Sequence, residues 1–190
     1  MKQPITILGD NEPTGTYILR IAVAGDLRIQ FGRFRQGMLI RVPQGDVIYV
    51  GSAMARSGSM TLARRLLRHA TRRPPKPSHR LRPVLLDAVH TAAMASKETQ
   101  PPAGKKLFWN VDYLMDEEDV QLRQVIILRS PVRLEDEVAA LLLADPVCRP
   151  IASGLGAHDC PGSTHLLQVR AHGSWWDSLP ERINKLLSEA

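Results

Sequence analysis

Alternating apolar and polar residues dominate the first fifty positions of the chain. Tyr17, Leu19 and Ile21 recur at every second position, which is the period of a β-strand, so a strand is predicted over residues 16–23. Further extended segments are predicted over residues 27–34, 38–42 and 47–50, with glycine- and proline-containing turns between them. The first third of the chain is therefore predicted to be an antiparallel meander.

The hydrophobic period changes to that of a helix after Ser59, a residue suited to an N-cap, and this helix is predicted to end near Arg72. The apolar stripe of the helix consists of Met60, Ala63, Leu67 and Ala70. The polar face contains Thr61, Arg65, Arg68, His69 and Arg72. Because Arg65 and His69 are four residues apart, we expect them to share one surface.

The remaining pattern predicts an α+β domain with a small central, mainly antiparallel sheet flanked by helices. Proline-rich segments enclose a predicted helical insert over residues 73–106, with its helix at about 81–96. Outside the insert, the core is assigned to residues 14–72 and 107–170. Further along the chain we predict strands at 107–115, 122–128 and 165–170, and helices at 134–144 and 175–189.

Composition favours a polyanionic partner. The 190 residues fit one domain, the net charge is +6 and the pI is about 9.7. Residues 47–86 contain nine Arg and Lys residues and no Asp or Glu. Such a block is typical of either a nucleic-acid-binding surface or a solvated helix face, and charge alone does not separate the two.

No apolar run reaches the length of a membrane span, and the N-terminus lacks the pattern of a secretory signal. We therefore expect a cytoplasmic protein without a membrane partner. Cys148 and Cys160 are expected to be reduced thiols rather than a disulfide in that compartment. The sequence does not indicate the oligomeric state.

Candidate chemistry lies in four separate segments: Gly15-Thr16-Tyr17, Tyr49-Val50-Gly51, the helix with Arg65 and His69, and Glu135 at the start of a later helix. Strand alternation and a paired register of the first two segments would bring Tyr17 and Tyr49 onto a common face. In this order and spacing the four segments resemble the GIY-YIG nuclease superfamily. Three later segments are similar to its small stand-alone Uri-type endonucleases: Trp109-x-Val111-Asp112-Tyr113-Leu114, Glu135-x-Glu137-Val138-Ala139, and Gly154-x-Gly156 with Asp159-Cys160 and Ser163-x-His165-Leu166.

The resemblance implies metal-dependent hydrolysis of phosphodiester bonds in DNA or another nucleic acid. It makes Tyr17, Tyr49, Arg65, His69 and Glu135 the expected catalytic residues. Glu135 would hold Mg²⁺ or Mn²⁺, with Glu137 as the alternative ligand. Nucleic-acid contacts are expected from Ser52, Arg64, Arg68 and Arg72.

The resemblance leaves open which tyrosine is the general base. Tyr17 would act on the attacking water directly or by handing its own proton onward. Because a free phenol has a pKa near 10, a direct base role at neutral pH requires a pKa depressed by a metal or an arginine. Arg65 would bind the phosphate in the transition state, and His69 would relay a proton or bind phosphate.

Several features depart from the Uri-type pattern. Phe108-Trp109-Asn110 stands where those proteins carry His-Trp-His, and Gly162 replaces a second cysteine. The late asparagine of wider GIY-YIG enzymes has no secure match, with Asp159 and Ser163 as weak candidates. An alternative is a non-catalytic nucleic-acid-binding module of the same fold.

Two further alternatives concern histidines. His158, Cys160 and His165 could form a metal cluster, although three ligands without a fourth fit zinc poorly. His79 and His90 could make protein contacts from the insert.

Overall fold

The computed structural model describes residues 3–156 and 164–188. Its strands are β1 (Ile5–Gly9), β2 (Gly15–Val23), β3 (Leu27–Gln30), β4 (Leu39–Val42), β5 (Gly45–Ala53), β6 (Val120–Arg129), β7 (Cys148–Pro150) and β8 (Leu166–Val169). Six of them form one sheet in the order β1-β6-β2-β5-β8-β7. All pairs in this sheet are antiparallel except β1 with β6, so the predicted mainly antiparallel α+β architecture is confirmed.

Five α-helices in the described ranges cover the two faces of the sheet: α1 (Leu62–His69), α2 (Arg82–Thr91), α3 (Asn110–Met115), α4 (Glu135–Leu143) and α5 (Gly173–Ser188). The face covered by α1, α2 and α3, called the α1 face, buries Tyr17 and Tyr49. The face covered by α4 and α5, called the α4 face, buries the intervening Ile18 and Ile48. Strand alternation thus distributes the central residues between two cores.

The predicted meander is wrong in one respect. β3 and β4 pair only with each other and form a separate hairpin between β2 and β5. The predicted strand over 27–34 ends at Gln30, because Gly32 adopts a positive φ of 55° and a 3₁₀ turn follows at Phe34–Gly37. β2 and β5 consequently become direct neighbours in the large sheet.

The segment 107–115 is a second correction, because it contains the helix α3 rather than a strand. Asp112 accepts the backbone N–H groups of Phe108 and Trp109 at 3.0 and 3.1 Å, and so binds donors that the start of a helix leaves unpaired. Helix α1 begins at Leu62, after a 3₁₀ turn at Gly58–Met60, and ends at His69 instead of continuing to Arg72.

The predicted insert contributes to the core. Leu85 and Val89 of α2 are fully buried in the α1-face cluster. His79 is also buried, and its ring donates to the Met115 carbonyl and accepts the Leu122 N–H, so both ring nitrogens serve packing. This occupancy argues against His79 as a protein-contact residue. The boundaries assigned to the insert stay a prediction.

The sequence pattern did not predict two of the observed strands, β1 and β7. β1 and β7 are short edge strands without a clear alternating pattern, and β1 is held by its parallel pairing with β6. None of the helices in the described part of the chain combines the length and apolarity needed to cross a membrane.

Candidate active site

Tyr17 and Tyr49 lie side by side on the α1 face, as their spacing predicted. β2 pairs with β5 so that Tyr17 is opposite Gly51 and Tyr49 is opposite Leu19, and the two ring centroids are 6.3 Å apart. A Cβ atom on Gly51 would lie 2.5 Å from the Tyr17 hydroxyl oxygen and 2.9 Å from a ring carbon of Tyr49. Position 51 therefore needs glycine, because both rings pack over its α-carbon.

His69 completes a hydrogen-bonded pair with Tyr17. It is the last residue of α1, is fully buried, and its Nε2 lies 2.8 Å from the Tyr17 hydroxyl oxygen. Burial raises the pKa of Tyr17 above its ordinary value and lowers the pKa of His69 to about 4. At neutral pH the phenol is thus protonated and the imidazole is uncharged.

A direct base role would require the opposite shift, a depressed phenol pKa. Burial also raises the pKa of Tyr49. Tyr17 differs from Tyr49 in its hydrogen bond to an uncharged imidazole, which can accept the phenolic proton. The geometry therefore favours the alternative in which Tyr17 hands its proton onward.

Arg65 links this pair to the second part of the site. Its Nη1 donates to the carbonyl of Ser52, at the end of β5, and the Ser52 hydroxyl donates to Glu135 Oε2. The Arg65 guanidinium carbon is 4.5 Å from the centroid of the Trp109 ring, and that of Arg68 is 4.7 Å from it. Trp109 thus supports both cations by cation–π contact.

Glu135 begins α4 on the other side of the sheet and is 2% exposed. Arg133 donates to its Oε2 through Nη2 at 2.7 Å and Nε at 3.1 Å, and His165 Nδ1 lies 3.0 Å from Oε1. Burial pushes the pKa of Glu135 up, but the contacts with His165, Ser52 and Arg133 outweigh it, so the pKa is below its usual range. Glu135 is therefore a carboxylate anion at neutral pH.

Metal-binding chemistry in the described residues centres on Glu135. No group of three His, Cys, Asp or Glu side chains within residues 3–156 and 164–188 is arranged to hold an ion. Glu137, the alternative ligand, is exposed on α4, whereas Glu135 is buried at the site. His158, Asp159, Cys160, Gly162 and Ser163 lie outside the described residues, and with them the predicted metal cluster and the question of a disulfide.

Arg72 requires a correction. Its guanidinium is buried and donates to the carbonyls of Pro77, Met115 and Val120, so it joins segments of the fold and does not face nucleic acid. Ser52 is likewise buried against Arg65 and Glu135 rather than directed outward. The physical reason is the same: both polar groups satisfy buried partners from distant parts of the chain.

In the folded protein, a carboxylate from another segment offsets part of the positive charge of the basic block, residues 47–86. Arg73 and Lys76 form ion pairs with the buried Asp116, a carboxylate from outside the block. Arg64 remains exposed, and Arg68 lies part-buried beside it. A groove of about 180 Å³ is lined by Ser59, Arg64, Arg68, Gln100 and Pro102.

The sequence assigned no role to the buried side chains of Asp112 and Lys105, and considered His165 only as a possible zinc ligand. Asp112 lies with its Oδ1 3.6 Å from His69 Nδ1, Lys105 Nζ lies 3.4 Å from the same oxygen, and His165 contacts Glu135. An aspartate at the third position of a helix is a capping signal that could have identified α3. Nothing in the local sequence around Lys105 or His165 indicates these long-range contacts.

The comparisons with known proteins bear on the family alone. No curated protein and no solved structure matches the chain. One family model, described as "Domain of unknown function DUF123", matches residues 16–188, a range that includes every site residue described above. The chain belongs to this DUF123 family.

Proposed function

We propose that this protein is a GIY-YIG endonuclease of the Uri type, which hydrolyses phosphodiester bonds in nucleic acid, with DNA as the expected substrate. One observation carries the proposal: the Tyr17–His69 hydrogen bond and the Arg65–Ser52–Glu135 chain converge at the ends of β2 and β5. These segments are distant in sequence. Their side chains supply an acceptor for a proton, a cation for a phosphate and an anionic ligand.

The proposed reaction uses Tyr17 and His69 as a proton relay. A water oxygen bonds to phosphorus while the bond from phosphorus to one ester oxygen breaks. One water proton passes to the Tyr17 oxygen as the phenolic proton passes to His69 Nε2, across the 2.8 Å hydrogen bond. The leaving ester oxygen takes a proton from solvent, and His69 later returns its proton to solvent.

Arg65 would stabilise the phosphate whose negative charge grows during the attack. Its cation is held by the Ser52 carbonyl and the Trp109 ring, so little reorganisation is needed. The exposed Arg64 and the neighbouring Arg68 would bind adjacent phosphates, which makes binding sensitive to salt. A cytoplasmic location remains a prediction from the sequence.

Glu135 would hold Mg²⁺ or Mn²⁺. It is ionised at neutral pH, and Mg²⁺ is commonly bound by one or two carboxylates together with water and phosphate oxygens, so the donor set fits the ion. When bound, the ion would polarise a phosphoryl oxygen as a Lewis acid. Arg133 and His165 lie against the same carboxylate and fix its orientation.

The test is cleavage of supercoiled plasmid and of single-stranded, duplex and branched oligonucleotides with Mg²⁺ or Mn²⁺. We expect Arg65→Ala and Glu135→Gln each to lower the rate about 100- to 1,000-fold, because the first removes the cation for the reacting phosphate and the second removes the anionic ligand of the metal ion. Arg80→Ala is the matched control, since Arg80 is an exposed arginine of the same basic block outside the site. Cleavage that persists in both site variants would contradict the proposal.

A non-catalytic nucleic-acid-binding module is the second candidate. The observation that favours it is the internal neutralisation of Glu135, whose two oxygens already contact Ser52, Arg133 and His165. This candidate predicts salt-dependent binding that Arg64→Ala weakens, without cleavage of any substrate under either metal.

A further inference from the structure

Asp112 is the most heavily contacted acidic group on the α1 face. Its side chain is fully buried on α3 and is the carboxylate nearest to His69 among the described residues. Its two oxygens have different surroundings. Oδ2 accepts Arg68 Nη2 at 2.9 Å and the N–H groups of Phe108 and Trp109. Oδ1 faces His69 Nδ1 at 3.6 Å and Lys105 Nζ at 3.4 Å.

This division of contacts decides where the proton of the neutral His69 ring resides. A carboxylate oxygen only accepts hydrogen bonds, so a bare lone pair on Nδ1 would face Asp112 Oδ1 with electrostatic repulsion. A proton on Nδ1 removes the repulsion and leaves the lone pair on Nε2. Nε2 then faces Tyr17, 2.8 Å away, as an acceptor.

We propose that Asp112 is a positioning residue that keeps the His69 proton on Nδ1, so that Nε2 can accept the proton of Tyr17. Lys105 and Arg68 balance the Asp112 charge in the buried site. The same carboxylate holds the N-terminus of α3, and with it the Trp109 ring that supports Arg65 and Arg68. Asp112 therefore orients the proton acceptor and the nearby cations together.

The exchange Asp112→Asn tests this role sharply, because the contacts dictate how the amide must sit. Three N–H donors surround the position of Oδ2, whereas Lys105 Nζ alone, of the residues that the structure describes, is a cationic donor near Oδ1, at 3.4 Å, so the amide oxygen takes the place of Oδ2 and preserves the cap of α3. The amide NH₂ then faces His69 Nδ1, which must accept a hydrogen bond and lose its proton to Nε2. A ring with its proton on Nε2 cannot accept the proton of Tyr17.

The first measurement is the ¹⁵N NMR spectrum of the His69 ring at neutral pH in the intact protein. We expect the Nδ1–H tautomer in the unmodified protein and the Nε2–H tautomer in Asp112→Asn. A matched control is Asp116→Asn, which removes another buried carboxylate at the end of the same helix, one that pairs with Arg73 and Lys76 instead. The control should leave the tautomer unchanged.

The second measurement is cleavage kinetics, which rests on the proposed nuclease function. Asp112→Asn should lower kcat about 100- to 10,000-fold, as the same exchange does behind other catalytic histidines, while KM changes about threefold or less because the Arg68 contact is kept. Asp116→Asn should retain kcat.

The two measurements separate the two ideas. An Nε2–H tautomer in the unmodified protein would overturn the role of Asp112, and this result needs no variant to fold. A tautomer or a kcat unaffected by Asp112→Asn would also overturn it. The expected tautomers without cleavage of any substrate would instead reject the nuclease proposal and leave the positioning role intact.

Discussion

The candidate site has two halves, the Tyr17–His69 pair and Glu135 with its donors. They are buried to the same degree, but at neutral pH the pair is uncharged and Glu135 is an anion. On the α1 face, burial keeps Tyr17 protonated and His69 neutral, and lowers the pKa of His69 to about 4. Glu135, at the start of α4 on the other side of the sheet, is 2% exposed, yet its pKa lies below the usual range. Burial alone therefore does not decide the charge of a group.

The difference lies in the partners of each group. The Tyr17 hydroxyl meets an uncharged imidazole, so desolvation prevails and the phenolate is disfavoured. Glu135 meets a hydroxyl, a guanidinium and a histidine, and these donors stabilise its anion despite desolvation. One half is thus suited to moving a proton, and the other to holding a cation.

Removing the Tyr17 hydroxyl should disrupt the uncharged Tyr17–His69 pair, and of the proposed substitutions it should have the largest effect on the cleavage rate. We expect Tyr17→Phe to lower kcat about 100- to 10,000-fold, because the proton loses its path to His69. Single-turnover cleavage of a labelled oligonucleotide measures it. Tyr49→Phe is the comparison, and we expect it to lower kcat less, since the hydrogen bond to His69 is made by Tyr17. Equal losses in both variants would show that the relay does not depend on this bond.

Acid should destabilise the neutral half. Below about pH 6.5 the unfolded chain protonates His69, whereas the folded chain does so only below about pH 4, so unfolding takes up a proton between these values. The stability contributed by the neutral ring is complete above pH 6.5 and is lost as the pH falls towards 4. The loss for this one histidine is on the order of 3 kcal/mol.

Urea unfolding at pH 7.5, 6 and 4.5 measures this dependence, with His69→Gln as the comparison. The buried His79, whose pKa burial lowers to about 3, adds a similar acid dependence in both proteins. We therefore expect the variant to keep part of the slope. An unchanged slope in His69→Gln would show that His69 is not buried as a neutral group.

Loss of the Glu135 charge should destabilise the other half of the site, which consists of Glu135 and its donors. Glu135→Gln removes the anion that Arg133 and His165 contact, and we expect the free energy of unfolding to fall by about 2 kcal/mol, measured by urea denaturation at pH 7.5. Glu137→Gln is the matched control, since Glu137 is exposed on the same helical turn. A loss of stability in the control as large as that in Glu135→Gln would show that the stabilisation does not depend on the Glu135 charge.

The smallest expected effect lies outside both halves. Arg64→Ala should weaken nucleic-acid binding on all sequences and lower the slope of log affinity against log salt by about one. Fluorescence anisotropy at salt concentrations from about 50 to about 200 mM measures this slope, because phosphate contacts weaken strongly over that range. Arg72→Met should not change that slope, because the Arg72 guanidinium binds backbone carbonyls. An altered slope in Arg72→Met would contradict its assigned structural role.

The sequence predicted the parts of the site that local periodicity determines. Alternation in β2 and β5 placed Tyr17 and Tyr49 on one face, and helical spacing placed Arg65 and His69 together. The α+β class and the start of α4 at Glu135 followed from the same patterns.

What the sequence could not predict depends on partners distant along the chain. The direction of Arg72 is set by carbonyls 5 to 48 residues away, and the pairing of His165 with Glu135 joins two residues that are likewise distant in sequence. α3 was assigned as a strand because six residues are too short for helical periodicity to dominate. The other sequence signal for this helix was Asp112 at its third position, which caps the helix by accepting the backbone N–H groups of Phe108 and Trp109.

Gly51 also bears on how a protein of this fold could lose its activity. The Tyr17 and Tyr49 rings rest on its α-carbon, so a side chain at this position would disturb the core whether or not the protein cleaves anything. Selection for folding alone would preserve this glycine. A descendant that only binds nucleic acid would therefore keep Gly51 while the Tyr17 hydroxyl, Asp112 or Glu135 drifted, and those groups are the ones that distinguish an enzyme from its inactive relative.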